Sequence, residues 1–238
     1  MSGSITLENR FGVNKMELIS LKYAIFVIVL LVLYYCFPKK YRWYVLLAGS
    51  MAYYVIICKW YVLFIIFTIC TTYGSTIWID KLLKKQNAIV KSHKEDWDRQ
   101  TRKEYKEKGR KKRVAVMLFA LLCNFGILAF LKYIPYAGEL GLLLPLGISF
   151  YTFQSMGYVM DVYREIVEPE KNFLKVALFV SFFPQIIQGP IAIYDKLAGQ
   201  LYEGHSLRLE NLQKGALLVL WGAVSYTHLR AHETTLHL

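Results

Sequence analysis

Apolar residues along this chain come in unbroken runs, without the period-3.6 or period-2 alternation of an element that faces water on one side. Leu18 to Phe37 is interrupted only by Lys22, whose long stem lets its charge reach an interface. Trp60 to Ile79, Val114 to Leu131 and Leu140 to Met160 carry no charge. A hydrocarbon core about 30 Å thick asks for about 20 apolar residues per helix, and these runs meet it. Trp43 to Cys58 and Val176 to Tyr194 are shorter or broken but read the same way, and Gly215 to Thr227 begins another span. The pattern predicts an all-α, polytopic transmembrane helical protein with about six membrane helices plus a truncated seventh.

The composition agrees, with 55% of the 238 residues hydrophobic and 19% charged. Leu18 to Phe37 starts too late and runs too long for a signal peptide, and it ends in FPKKYRW without a small-residue cleavage site, so it reads as a retained first helix. A formal net charge of +12 would suggest nucleic acid in a soluble protein. Here most of it lies between Asp80 and Arg113, where Lys and Arg far outnumber Asp and Glu. Such an excess in a short connection marks the cytoplasmic side of a membrane protein. Residues 80–113 therefore read as a basic cytoplasmic loop, a solvated helix or coil drawn to anionic lipid headgroups. No nucleic-acid partner is expected, because neither aromatic interleaving nor a recognisable nucleic-acid-binding motif accompanies the charge. With Lys39, Lys40 and Arg42 after the first helix and only Lys59 between the second and third, the charges alternate, consistent with an outside N-terminus.

Cys36, Cys58, Cys70 and Cys123 all fall inside apolar runs without paired ligand spacing, so neither a disulfide framework nor a metal site is expected. His228 and His232 are four residues apart, but a zinc site needs further ligands and a supporting shell. No GxSxG, Walker or GxGxxG motif occurs. Asn124, in the middle of an apolar run, reads as a hydrogen-bonding contact between helices.

The candidate chemistry lies between Leu144 and Ile191. LPLGISFYTFQSMGYVMDVYR places Tyr151, Gln154, Tyr158 and Asp161 at i, i+3, i+7 and i+10, one polar stripe along an apolar helix. Unpaired polar groups are costly in hydrocarbon, so the stripe must face protein or water. It either joins helices or lines a substrate path, and Asp161 is alternatively a membrane-end charge paired with Arg164. In SFFPQIIQGPI, Pro184 disrupts a helix and Gly189-Pro190 allows a turn. Gln185 and Gln188 either satisfy the backbone groups so freed or contact a polar substrate.

These two strings at this spacing resemble the membrane-bound O-acyltransferases, in particular the bacterial branch similar to alginate O-acetyltransferases and D-alanyl-lipoteichoic-acid transferases. The resemblance runs from the first helices through FPKKYRWYVLLAGSMAYY to about Gly222, making residues 1–222 the N-terminal part of such a domain. It implies an enzyme that moves an acyl group to the hydroxyl of a cell-envelope polymer or carrier, in the bacterial cell membrane. No bound cofactor is implied. The acyl donor, acetyl-CoA or a carrier-protein thioester, is a substrate, and the partners are that donor carrier and an extracytoplasmic acceptor polymer or partner transferase. Family members use a histidine buried in a later helix as the base for the acceptor hydroxyl, a role suited to neutral imidazole. His93, His205, His228, His232 and His237 do not match that position, so no catalytic residue is assigned to this chain. Residues 223–238 depart from the family and read as a non-family tail of the kind a sequencing or frameshift artefact produces. Read without the resemblance, the same stripe and broken helix would also suit a transporter or channel subunit, or a noncatalytic membrane scaffold.

Overall fold

The computed structural model describes residues 21–93, 97–133, 147–188 and 192–235, and among them every regular element is helical. In chain order these are α1 (Leu21–Cys36), α2 (Arg42–Cys58), α3 (Val62–Ser92), α4 (Arg99–Tyr133), α5 (Ile148–Tyr163), α6 (Phe173–Ser181), α7 (Phe183–Gln188), α8 (Tyr194–Tyr202) and α9 (Leu209–Thr235). Two helical stretches, Lys39–Ser92 and Arg99–Tyr133, are long and apolar enough to cross a membrane. Lys22–Cys36 and Phe173–Ile186 are shorter apolar helices. Leu140 to Leu146, the start of the expected fourth uncharged run, lies outside the described residues.

The chain divides into two compact units, residues 46–202 and residues 21–45 with 203–235. In the second unit the Arg42 guanidinium sits over the rings of Tyr34 and Tyr35, at 5.3 and 5.2 Å from their centroids. Its Nε donates to the Phe37 carbonyl at 2.9 Å and Nη1 donates to the His205 carbonyl. A cation held on two aromatic faces and two carbonyls fixes the basic turn after α1.

The first unit is built on α3, α4 and α5. On α4, Ala120, Asn124, Leu128 and Leu131 are buried, whereas Phe119 and Leu122 are exposed. Burial at steps of four and three residues defines one inward face, and the outward face is as apolar as lipid requires. α3 reverses the soluble pattern: its buried face holds Thr68, Thr72, Ser75 and Thr76 beside Ile65, Ile69 and Ile79, while Leu63 and Phe67 face outward. Small hydroxyl residues inward and large apolar residues outward are the signature of helix packing in a bilayer. Asn124 joins the two helices, donating through Nδ2 to Thr71 Oγ1 at 3.0 Å and to the Ala120 carbonyl at 2.9 Å.

The expected basic loop is largely helical. α3 continues to Ser92 and α4 already begins at Arg99, so a basic helical hairpin extends the two long apolar helices. Gln86, buried on α3, donates to the Lys106 carbonyl at 2.9 Å. A β-carbon on Gly109 would lie 2.6 Å from the end of the Gln86 side chain, so the amide rests directly over this glycine. Near the hairpin's tip Trp97 stacks on His93, with centroids 4.9 Å apart, and meets Tyr105 edge-on at 5.1 Å. Lys and Arg stems with few apolar partners leave helix and coil both open in sequence, and the structure takes the helix, whose backbone is satisfied internally.

Candidate functional site

The two strings singled out in the sequence come together in space. Gly147 precedes α5 with φ of +70°, a left-handed conformation that favours glycine. A β-carbon there would run into the Ile186 side chain and lie 2.6 Å from the Ile186 carbonyl oxygen. The start of α5 is thus packed directly on α7.

The α6–α7 pair is a helix interrupted at Phe182, whose ψ of 104° breaks the α geometry. Pro184 follows in the first turn of α7, where its missing N–H costs least. In an unbroken helix the Phe179 carbonyl would accept from the Phe183 amide. Instead, Gln154 Nε2 donates to the Phe179 carbonyl at 2.9 Å, and the Phe183 amide donates to Ser50 Oγ of α2 at 3.4 Å. The Phe182 carbonyl accepts from the amides of Gln185 and Ile186. Gln185 Oε1 lies 3.4 Å from Gln154 Nε2, so the second glutamine orients the first. Backbone freed in a protein interior must be satisfied by protein or water, and here α2 and α5 supply side chains for it.

The stripe on α5 is inward-facing. Tyr151, Gln154 and Tyr158 are 0%, 2% and 1% exposed, whereas Asp161 is half-buried near the end of the helix. Tyr151 meets Tyr54 of α2 edge-on, with ring centroids 6.3 Å apart. Tyr158 stacks on Tyr194 of α8 at 4.2 Å, and its hydroxyl accepts from the Glu170 amide at 2.8 Å. Gln185 is buried. Gln188 ends α7, and its side chain lies outside the described residues. The structure therefore brings Gln154 and Gln185 into one contact and sends Tyr151 and Tyr158 to separate neighbours.

No described ion pair joins Asp161 to Arg164. The cation at this end is Arg113 of α4, which pairs with Glu165 Oε1 at 2.8 Å. Arg113 is almost buried, whereas the Glu165 side chain is half-exposed. Glu165 has φ of +61°, its amide donates to the Val162 carbonyl, and the Ile166 amide donates to the Asp161 carbonyl. This is the left-handed close of a Schellman motif, a position usually taken by glycine. Beside it, residues of α3 and of the α5–α6 connector, among them Asp80, Lys84, Glu165 and Lys171, line a mixed-charge cavity of about 360 Å³. Tyr73 Oη donates to the Lys171 carbonyl at 2.9 Å, and Asn172 caps α6 by accepting from the Leu174 amide at 3.0 Å.

Of the histidines, His93 and His205 are exposed. The side chains of His228 and His232, and all of His237, lie outside the described residues. No group of His, Cys, Asp and Glu able to hold a metal occurs among the described residues. Sequence reasoning missed Ser50 and the hydroxyl face of α3. The spacing of Thr68, Thr72, Ser75 and Thr76 was the available signal.

Comparison with known proteins adds the chemical class. The chain is similar to "Probable alginate O-acetylase AlgI" of Pseudomonas syringae pv. tomato, 38% identical over 82 residues, covering 34% of this chain and 16% of that protein. It is 46% identical over 59 residues to the protein of the same name from Pseudomonas aeruginosa, covering 25% and 11%. It is also 29% identical over 140 residues to "Peptidoglycan O-acetyltransferase" of Helicobacter pylori, covering 43% and 27%. These matches span well under a third of the length of the curated relatives. No family model and no solved structure matches the chain. Over the matched stretches the chain is a relative of bacterial O-acetyltransferases, in agreement with its resemblance to the alginate O-acetyltransferase-like branch of the membrane-bound O-acyltransferases.

Proposed function

We propose that this chain is the N-terminal part of a membrane-bound O-acyltransferase that moves an acyl group, acetyl by the names of its relatives, to a hydroxyl of a cell-envelope polysaccharide. The observation that carries the reading is the similarity to several O-acetylases and a peptidoglycan O-acetyltransferase. The inward polar stripe on α5 and the broken α6–α7 helix support it, because irregular backbone at membrane depth is found where a protein encloses a path or site.

In this reading the protein sits in the bacterial cell membrane with about six spans from this chain, and the basic α3–α4 hairpin faces the cytoplasm. The donor, acetyl-CoA or a carrier-protein thioester, approaches from that side. The acceptor polymer or a partner transferase receives the acyl group outside. Tyr151, Gln154 and Tyr158 with Gln185 and Gln188 frame part of the passage, and Asp161 stands near its cytoplasmic end. A neutral histidine suits the role of general base on the acceptor hydroxyl, and neither exposed His93 nor exposed His205 is assigned that role.

The test is genetic and chemical. Deleting the gene should remove base-labile acetate from the envelope polysaccharide, and restoring the full-length gene should return it. An unchanged acetate content in the deletion strain contradicts the proposal.

A further inference from the structure

We propose that the open groove between the start of α3 and the later part of α4 holds an anionic phospholipid, with an acyl chain in the groove and the phosphate on the Lys59 ammonium. The groove has a volume of about 630 Å³ and is lined by Trp60, Leu63, Phe64 and Phe67, by Ile127 of α4, and by Lys59 at the α2–α3 turn. Ligand sites typically enclose about 300–1,000 Å³ and are mostly apolar with a few placed polar groups. Here the lining is aliphatic and aromatic, and Lys59 is its one cation.

Lys59 is the only charged residue between Arg42 and Asp80. Its side chain is exposed, and its ammonium makes no hydrogen bond or ion pair among the described residues. Its φ is +48°, and among the described residues Lys59 and Glu165 are the two non-glycines with left-handed backbone. Glu165 holds Arg113 from that conformation, whereas Lys59 holds nothing in the protein. Such strain persists only where the surroundings impose it, and it gathers at ligand clamps. Glycine would make this turn without strain, so the lysine adds a cation there despite the cost.

The turn lies at the opposite end of α3 from the basic hairpin. With α3 across a bilayer, Lys59 and Trp60 stand at an interface, the level where Trp rings settle and Lys stems reach for headgroups. Trp60 and Leu63 are 84% and 61% exposed, so the groove opens outward, toward acyl chains. An amphiphile with an anionic head and an apolar tail matches both the cation and the lining. A soluble anion would leave the groove unused, and a zwitterionic lipid brings its own cation to compete with Lys59. The inference goes beyond acyl transfer and stands without it.

Fluorescence quenching of the intact protein in nanodiscs tests it, with phosphatidylglycerol or phosphatidylcholine brominated near the headgroup end of its chain as the probe. The Trp60 signal is the difference between wild type and Trp60→Phe. Brominated phosphatidylglycerol should quench it with about fivefold the affinity of brominated phosphatidylcholine, the bias one lysine supplies at a membrane surface. Lys59→Gln should remove that preference and leave equal quenching by both lipids, whereas Lys59→Arg should keep it. Equal quenching by the two lipids in wild type overturns the proposal, as does a preference that survives Lys59→Gln. Absence of quenching by either lipid also overturns it and would mean that another segment of the protein fills the groove.

Discussion

Gln154 of α5 donates its side-chain amide to the main-chain carbonyl of Phe179 on α6, at 2.9 Å. That carbonyl is one the α6–α7 break deprives of its helical partner, so a glutamine from the polar stripe completes a backbone that Phe182 and Pro184 interrupt. The contact ties the first signature string to the helix that leads into the second, and Gln185 of that second string lies 3.4 Å from the same Gln154 nitrogen. It also gives the stripe a structural duty alongside any role toward substrate.

Replacing Gln154 with Leu should therefore leave the Phe179 carbonyl unpaired in the interior. The expected loss is about 1–3 kcal/mol of stability, read as a lower thermal midpoint in detergent. An unchanged midpoint would mean the carbonyl finds another donor.

Gly147→Ala should be poorly tolerated for two separable reasons. Left-handed backbone costs a non-glycine residue about 1–2 kcal/mol, and the new methyl meets both the side chain and the carbonyl of Ile186. Adding Ile186→Ala should recover part of the loss, leaving the backbone strain and the carbonyl contact. A double-mutant cycle on the thermal midpoint measures that coupling.

Removing Glu165 pits two effects against each other. Glu165→Gly relaxes a left-handed residue but strips the partner from Arg113, which is almost buried. Leaving a buried cation unpaired outweighs a strain of about 1–2 kcal/mol, so this variant should be less stable than wild type. In an Arg113→Met background the same substitution should instead stabilise. Equal effects in both backgrounds, measured by thermal unfolding, would show that the pair contributes nothing.

Alkaline pH should weaken the protein partly through Tyr202. Burial raises its phenol above the ordinary value, helped by Tyr194 and Glu170, while its hydroxyl donates to the Lys175 carbonyl at 2.8 Å. In the unfolded chain the phenol titrates near pH 10. The unfolded state therefore loses this proton first, so the contribution is complete below about pH 10 and fades as pH rises above it. Tyr202→Phe should flatten the fall in stability above about pH 10; an identical slope would assign that fall to other groups.

Much of this was legible because lipid imposes simple rules. The runs from Trp60 to Ile79 and Val114 to Leu131 announced α3 and α4, and Asn124 announced a contact between helices. Charge left the hairpin undecided between helix and coil, since Lys81 to Ser92 and Arg99 to Arg113 lack the apolar periodicity that marks a packed helix. The stripe's inward direction followed from Tyr151, Gln154 and Tyr158 sharing one face. Their partners did not, because Phe179, Glu170 and Tyr194 are set by how the helices cross. Pro184 correctly signalled a break, but the bend falls at Phe182, since proline fits comfortably in the first turn of the next helix.

The most direct test of the account is acetyl transfer by the full-length protein in membrane vesicles, supplied with labelled acetyl donor on the cytoplasmic face and acceptor polysaccharide on the other. The account predicts label appearing on the polysaccharide as base-labile O-acetyl, reduced in Gln154→Ala. Movement of a solute across the vesicle without covalent labelling would contradict it and make the polar core that of a transporter.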